Sequence, residues 1–128
     1  MSGILFLCIH NAGRSQMAAG FARELSGGAV TILSGGSEPA DSVNPVAVEV
    51  MNEVGIDISS YVPQKYNDDL LHAVDVVVTM GCGDTCPYIP GKKYIDWPLD
   101  DPKCLFFQAE DGIRDEIKQN VSDLLSQL

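Results

Sequence analysis

The sequence predicts an α/β fold: a three-layer α/β/α arrangement around a four-stranded parallel sheet, order 2-1-3-4, with helices on both faces. Two observations carry this. Short apolar runs alternate with segments of helical periodicity along the whole chain. One run, Ala73-Val74-Asp75-Val76-Val77-Val78-Thr79-Met80, is nearly continuous in its apolar character, as expected of a strand buried on both faces of a parallel sheet. With 128 residues and neither an internal repeat nor a low-complexity linker, a single domain over residues 1–128 is expected. A chain of this size buries roughly two-thirds of its unfolded surface, enough for a core without staples.

The first strand is Ile4-Leu5-Phe6-Leu7. A tight loop from Cys8 leads into a helix over residues 14 to 26, with Met17, Phe21 and Leu25 as an apolar line at four-residue intervals. Ser26-Gly27-Gly28 ends it. Ala29-Val30-Thr31-Ile32-Leu33 is the second strand, running into Ser34-Gly35-Gly36, read as a turn able to lie against the Cys8 loop. Asn44-Pro45 starts a helix, Asn as cap and Pro at the first position. It continues through Val46, Val50 and Met51 to about Val54, where Gly55 stops it. Ile56-Asp57-Ile58-Ser59 is a connector. Asn67 to His72 is a short helix with acidic residues at its start. After the third strand, Gly81-Cys82-Gly83-Asp84-Thr85-Cys86-Pro87 is a glycine-rich loop. Tyr94-Ile95-Asp96-Trp97 is the fourth strand, and Asp100-Asp101-Pro102 opens the next loop. A last helix spans about 106 to 125, interrupted or delayed by Gly112, with Ile113, Ile117, Val121, Leu124 and Leu125 as its buried stripe.

In an open parallel sheet, ligands bind beyond the carboxyl ends of the strands. Cys8, Cys82 and Asp101 all follow strands directly, so topology gathers them on one edge. The stretch Cys8-Ile9-His10-Asn11-Ala12-Gly13-Arg14-Ser15 is the centre of that edge. A loop between a strand and a helix N-terminus turns successive backbone N–H groups inward and makes a cradle for a tetrahedral oxyanion. Cys8 opens the loop and Arg14 closes it, five residues intervening. The guanidinium fork can hold two anion oxygens. The same field favours thiolate over thiol and makes Cys8 the candidate nucleophile. Asn11 tolerates a left-handed backbone and shapes the loop. Ser15 is placed to donate to the Cys8 sulfur. His10 either takes part in the chemistry or forms a rim contact.

The net charge is −10, from 18 acidic and 8 basic residues. That argues against nucleic acid and anionic membranes as partners. An anionic substrate must then be attracted by the loop amides and Arg14 alone, which suits a small oxyanion. No apolar run is long enough to span a bilayer, and no basic region precedes the first strand; a cytoplasmic protein is expected. Besides Cys8 there are Cys82, Cys86 and Cys104. In a cytosolic chain these are catalytic or redox-active rather than a disulfide framework. A zinc site would need two further ligands, and only His72 and Cys104 remain, at unsuitable spacing. No metal and no bound cofactor are expected.

The Cys-x5-Arg-Ser loop after an N-terminal strand, with Asn11 inside it and Asp101-Pro102 about ninety residues later, resembles the low-molecular-weight protein tyrosine phosphatases and the arsenate reductases that share their fold. The resemblance covers nearly the whole chain. Composition alone leaves Asp100 and Asp101 equal as general acid; the resemblance implies Asp101, the residue immediately before proline, with Pro102 restraining it. It also implies that a thiolate attacks the arsenate-loaded Cys8 sulfur and releases arsenite. Cys82 matches that second thiol and Cys86 the third, leaving a disulfide for thioredoxin. The gap between Cys82 and Cys86 is shorter than usual, and Gly81 stands where a cysteine often does. In the short loop, together with His10-Asn11-Ala12-Gly13-Arg14, the chain is similar to the reductases of actinobacteria and relatives, some of which use mycothiol with mycoredoxin as donor. Gln16, where the phosphatases carry proline, and Lys103-Cys104-Leu105, where they carry a tyrosine pair, favour reductase over phosphatase.

Arsenate reduction is therefore the leading expectation, with oxyanion and thiol reductant as partners and arsenic detoxification as the role. A low-molecular-weight phosphatase is the second reading. A phosphocysteine carrier, which would not need Asp101, and a plain oxyanion-binding module in which Cys8 never reacts are the others. Cys104 is either an incidental thiol or an alternative resolving cysteine.

Overall fold

A computed structural model describes residues 3–8, 10–36, 38–80, 93–97 and 107–126, with side chains of the last helix from Arg114 onward. Four strands, β1 (Gly3–Cys8), β2 (Thr31–Gly36), β3 (Val76–Thr79) and β4 (Lys93–Asp96), form one parallel sheet in the order β2-β1-β3-β4. Four helices, α1 (Arg14–Ser26), α2 (Pro45–Asn52), α3 (Asp68–His72) and α4 (Phe107–Ser126), cover its faces.

The alternation of β1 divides the core. Ile4, Phe6 and Cys8 point into the larger layer, with Met17 and Phe21 of α1, Val50 and Met51 of α2, and Ile117 and Val121 of α4. Leu5 and Leu7 point the other way, onto Leu71, Val74 and Val77. Every residue of β1 is buried. The Phe6 and Trp97 rings lie 5.9 Å apart beneath the larger layer. Cys8 thus ends the most enclosed strand of the sheet.

The caps follow the sequence. Asn44 Oδ1 accepts from Val46 N at 2.9 Å and Asn67 Oδ1 from Leu70 N at 2.9 Å. Gly27 closes α1 in the left-handed conformation, φ 60°. Three expectations are corrected. Ser34-Gly35-Gly36 is not a turn but the end of β2, pairing in register with Phe6, Leu7 and Cys8. Its outer edge is closed by other donors and acceptors. Ile32 O accepts from Arg23, Ser34 O from the Gln64 amide, and Gly36 exchanges bonds with Gln64 and Tyr66. Gly35 is required by that approach, because a Cβ there would meet Tyr66 backbone at 3.2 Å.

Leu25 is 46% exposed while Met17 and Phe21 are buried. Each four-residue step overshoots a full turn by about 40°, so the third residue of such a line rotates off the core stripe. Gly112 neither breaks nor delays α4, which is continuous from Phe107. One glycine costs about 1 kcal/mol in a helix, and the burial of Ile117, Val121 and Leu124 outweighs it. Ile113, the first residue of the expected stripe, lies outside the described side chains. α4 is also tied to α2: the buried Arg114 donates to Val50 O at 2.9 Å and to Glu53 Oε1 at 3.2 Å, satisfying a carbonyl that α2 leaves open at its C-terminus.

Candidate oxyanion site

The loop between β1 and α1 is held from outside by its carbonyls. His10 O accepts from Ala40 N at 2.9 Å and Ala12 O from Asn44 N at 2.7 Å. Asn11 O accepts from Gln16 Nε2 at 2.9 Å. In a planar trans peptide the N–H points opposite to its carbonyl. Three outward carbonyls in succession therefore turn the N–H groups of Asn11, Ala12 and Gly13 inward. The Asn11 N–H meets the Cys8 sulfur at 3.2 Å. This needs a left-handed backbone at Asn11, φ 50°, the one non-glycine positive φ among the described residues.

Cys8 Sγ lies 3.0 Å from Ser15 Oγ and is 3% exposed. It is a free thiol. Arg14 is the first residue of α1 and is buried, so its charge adds to the positive end of the helix axis, in a first turn that contains no acidic residue. His10 is half-buried at the rim, its Nδ1 3.1 Å from Glu38 O. A carbonyl can only accept, so Nδ1 carries the proton and the ring is tethered to the neighbouring segment.

Behind the loop is a polar scaffold that the sequence did not announce. Asn11 Oδ1 accepts from the backbone N–H of Gln64 at 2.9 Å and from Gln16 Nε2 at 3.2 Å, while Asn11 Nδ2 donates to Ser15 Oγ at 2.7 Å. Ser34 Oγ donates to Gln16 Oε1 at 3.4 Å. The only sequence signal was a glutamine in the first turn of an otherwise apolar helix face. Nothing local marks Gln64, 53 residues from Asn11.

β1, β3 and β4 end at one edge. Leu7 is level with Thr79, and Thr79 with Asp96, whose carboxylate accepts from the Thr79 hydroxyl at 2.7 Å. Cys82 follows β3 by three residues and Asp101 follows β4 by five in the sequence. Ile9, Cys82, Cys86, Asp101 and Cys104 themselves lie outside the described residues. What the described part can do is hold a tetrahedral anion above a sulfur that the Asn11 N–H addresses and the Ser15 hydroxyl adjoins.

The model of the low molecular weight phosphotyrosine protein phosphatase family matches residues 3–128. The chain belongs to this phosphatase family. Among its relatives, arsenate reductase 2 of Staphylococcus epidermidis is 42% identical over 119 residues, covering 90% of this chain and 89% of that one. The glutaredoxin arsenate reductase of Synechocystis is 34% identical over 131 residues, covering 100% and 99%. Among solved structures, a thioredoxin-dependent arsenate reductase of Corynebacterium glutamicum superposes with a TM-score of 0.87 at 39% identity; the match covers 99% of this chain and 61% of that longer one. Within the phosphatase family, then, this chain is similar to the members named for arsenate.

Proposed function

We propose that the chain is an arsenate reductase, converting arsenate to arsenite with thiols as the source of two electrons. The observation that carries the reading is the Cys8 sulfur at the mouth of the most buried strand, beside the Asn11 N–H and the Ser15 hydroxyl in a loop whose His10, Asn11 and Ala12 carbonyls are engaged away from it. The relatives named for arsenate support the choice of substrate.

Arsenate is bound by the loop N–H groups and the Arg14 fork. The Cys8 thiolate attacks arsenic, and an arsenate hydroxyl group takes a proton from Asp101 and leaves as water. A second thiolate, Cys82, attacks the Cys8 sulfur. The sulfur–arsenic bond breaks with its electron pair remaining on arsenic, which departs as arsenite, and a disulfide joins the two cysteines. Cys86 exchanges into it, freeing Cys8, and an external dithiol reduces the Cys82–Cys86 pair. Relatives named for thioredoxin and for glutaredoxin support a redox protein as donor; mycothiol with mycoredoxin is the alternative. Arsenic detoxification in the cytoplasm fits this chemistry, and no described helix is long and apolar enough to cross a membrane.

Purified chain is assayed for arsenite formation with the thioredoxin, glutaredoxin–glutathione and mycothiol–mycoredoxin systems in turn. Turnover with one of them, and a Cys82–Cys86 disulfide or a Cys8 thiol adduct in the mass spectrum, supports the proposal. Failure with all three rejects it. The phosphatase reading draws on the family match. Rapid p-nitrophenyl phosphate hydrolysis that survives replacement of Cys82 and Cys86 by Ser would favour it.

A further inference from the structure

We propose that Gln16 is a positioning residue that sets the direction of the hydroxyl–sulfur bond at Cys8. The inference rests on Cys8 being the nucleophile. Side-chain amides and hydroxyls have no fixed direction of their own, so the direction must come from groups that do. Two backbone groups supply it. The N–H of Gln64 can only donate, so the Asn11 side-chain atom 2.9 Å from it is the carbonyl oxygen. The carbonyl of Asn11 can only accept, so the Gln16 atom 2.9 Å from it is the amide nitrogen.

The rest follows in sequence. With its oxygen turned to Gln64 and Gln16, the Asn11 side chain presents its NH2 to Ser15 Oγ at 2.7 Å. Ser15 Oγ therefore accepts there, and its own proton is left for Cys8 Sγ, 3.0 Å away. The sulfur then receives two donors and offers none, the arrangement that suits a thiolate. Gln16 makes this hold in two ways. It is 1% exposed, and its one NH2 bridges both oxygens of Asn11, which pins the left-handed backbone and the side chain together. Ser34 secures the other end of the Gln16 amide. Without the Gln16 donor, both Asn11 oxygens lose a partner in a buried place. The Asn11 side chain is then held by the Gln64 N–H alone and is uncoupled from its left-handed backbone, so its NH2 stays less firmly on Ser15 and the Ser15 proton is less firmly committed to sulfur.

Gln16→Met keeps the volume and removes donor and acceptor together; Gln16→Glu keeps the shape and the Ser34 contact and donates only when its carboxyl is protonated. The full-length chain is alkylated with iodoacetamide at neutral pH, and the rate at Cys8 is read by mass spectrometry separately from the other cysteines. Each variant should slow Cys8 by about tenfold, the effect of one hydrogen bond of ordinary net strength. Gln16→Met combined with Ser15→Ala should be no slower than Ser15→Ala alone, because both act through one bond. An unchanged Cys8 rate in Gln16→Met, whatever its melting temperature, would overturn the proposal. So would losses that multiply in the double variant. The assay contains no arsenate: a chain that fails to reduce arsenate but shows this dependence loses the proposed function and keeps the inference.

Discussion

Two buried polar clusters in this molecule look alike by burial and do different work. One joins Asn11, Ser15, Gln16, Ser34 and Gln64 and ends on the Cys8 sulfur. The other centres on Arg114, which donates to Val50 O, Glu53 and Asp115. The Arg114 cluster has backbone carbonyl and solvent-facing carboxylates as its ends, and Glu53 and Asp115 are 42% and 66% exposed. It joins α4 to α2. The Asn11 cluster ends on the Cys8 sulfur, the proposed nucleophile. Satisfied polar burial alone does not mark a site; convergence of donors on one reactive atom does.

Breaking each cluster separately sharpens the contrast. Cys8→Ser should lower arsenate turnover by on the order of 10⁴-fold, since the first bond can no longer form, with the melting temperature little changed. Arg14→Lys keeps the charge and loses the fork; kcat/KM for arsenate should fall by about 10²–10³-fold. At the other cluster, Arg114→Met should leave turnover per folded molecule as it was. Urea denaturation should show a loss of about 1–3 kcal/mol, the cost of a buried unsatisfied carbonyl. The Glu53 pair adds little to this, because its carboxylate is half in water. A collapse of activity in Arg114→Met, measured on folded protein, would erase the distinction between the two regions.

The smallest effect lies outside both clusters, at Asp57. Hydrogen bonds from Ser59 hold its carboxyl below the ordinary carboxylate value of 3.8. A depressed folded-state value stabilises the fold above the ordinary carboxylate range, and the contribution is lost as pH falls through the folded value. The group is fully exposed, so NMR titration of the Asp57 carboxyl should show a modest lowering that shrinks in Ser59→Ala but persists in part, because the Ser59 backbone N–H still donates to Oδ1 at 2.8 Å.

Local chemistry made much of the architecture legible. Asn44-Pro45 and Gly27 cap helices by bonds within a few residues, and these were visible at once; Asn67 was read as the first helical residue and is the N-cap instead. So was the apolar run of β3, whose burial on both faces follows from its composition. Ser34-Gly35-Gly36 was misread because two glycines beside a serine have turn chemistry; only Tyr66, arriving from about thirty residues away, reveals that Gly35 leaves room on a strand edge. Leu25 was misread because a four-residue line drifts off the helix stripe.

By itself the sequence determined the strand, the loop and the helix start that put Cys8, Asn11, Arg14 and Ser15 within eight consecutive residues, because their relation is local and the backbone of a strand–loop–helix turn dictates it. Only the tertiary structure decided that Gln64 and Ser34 stand behind that loop and give its hydrogen bonds their direction. Such contacts join residues 18 to 53 positions apart, and they exist only once the sheet has brought the segments together.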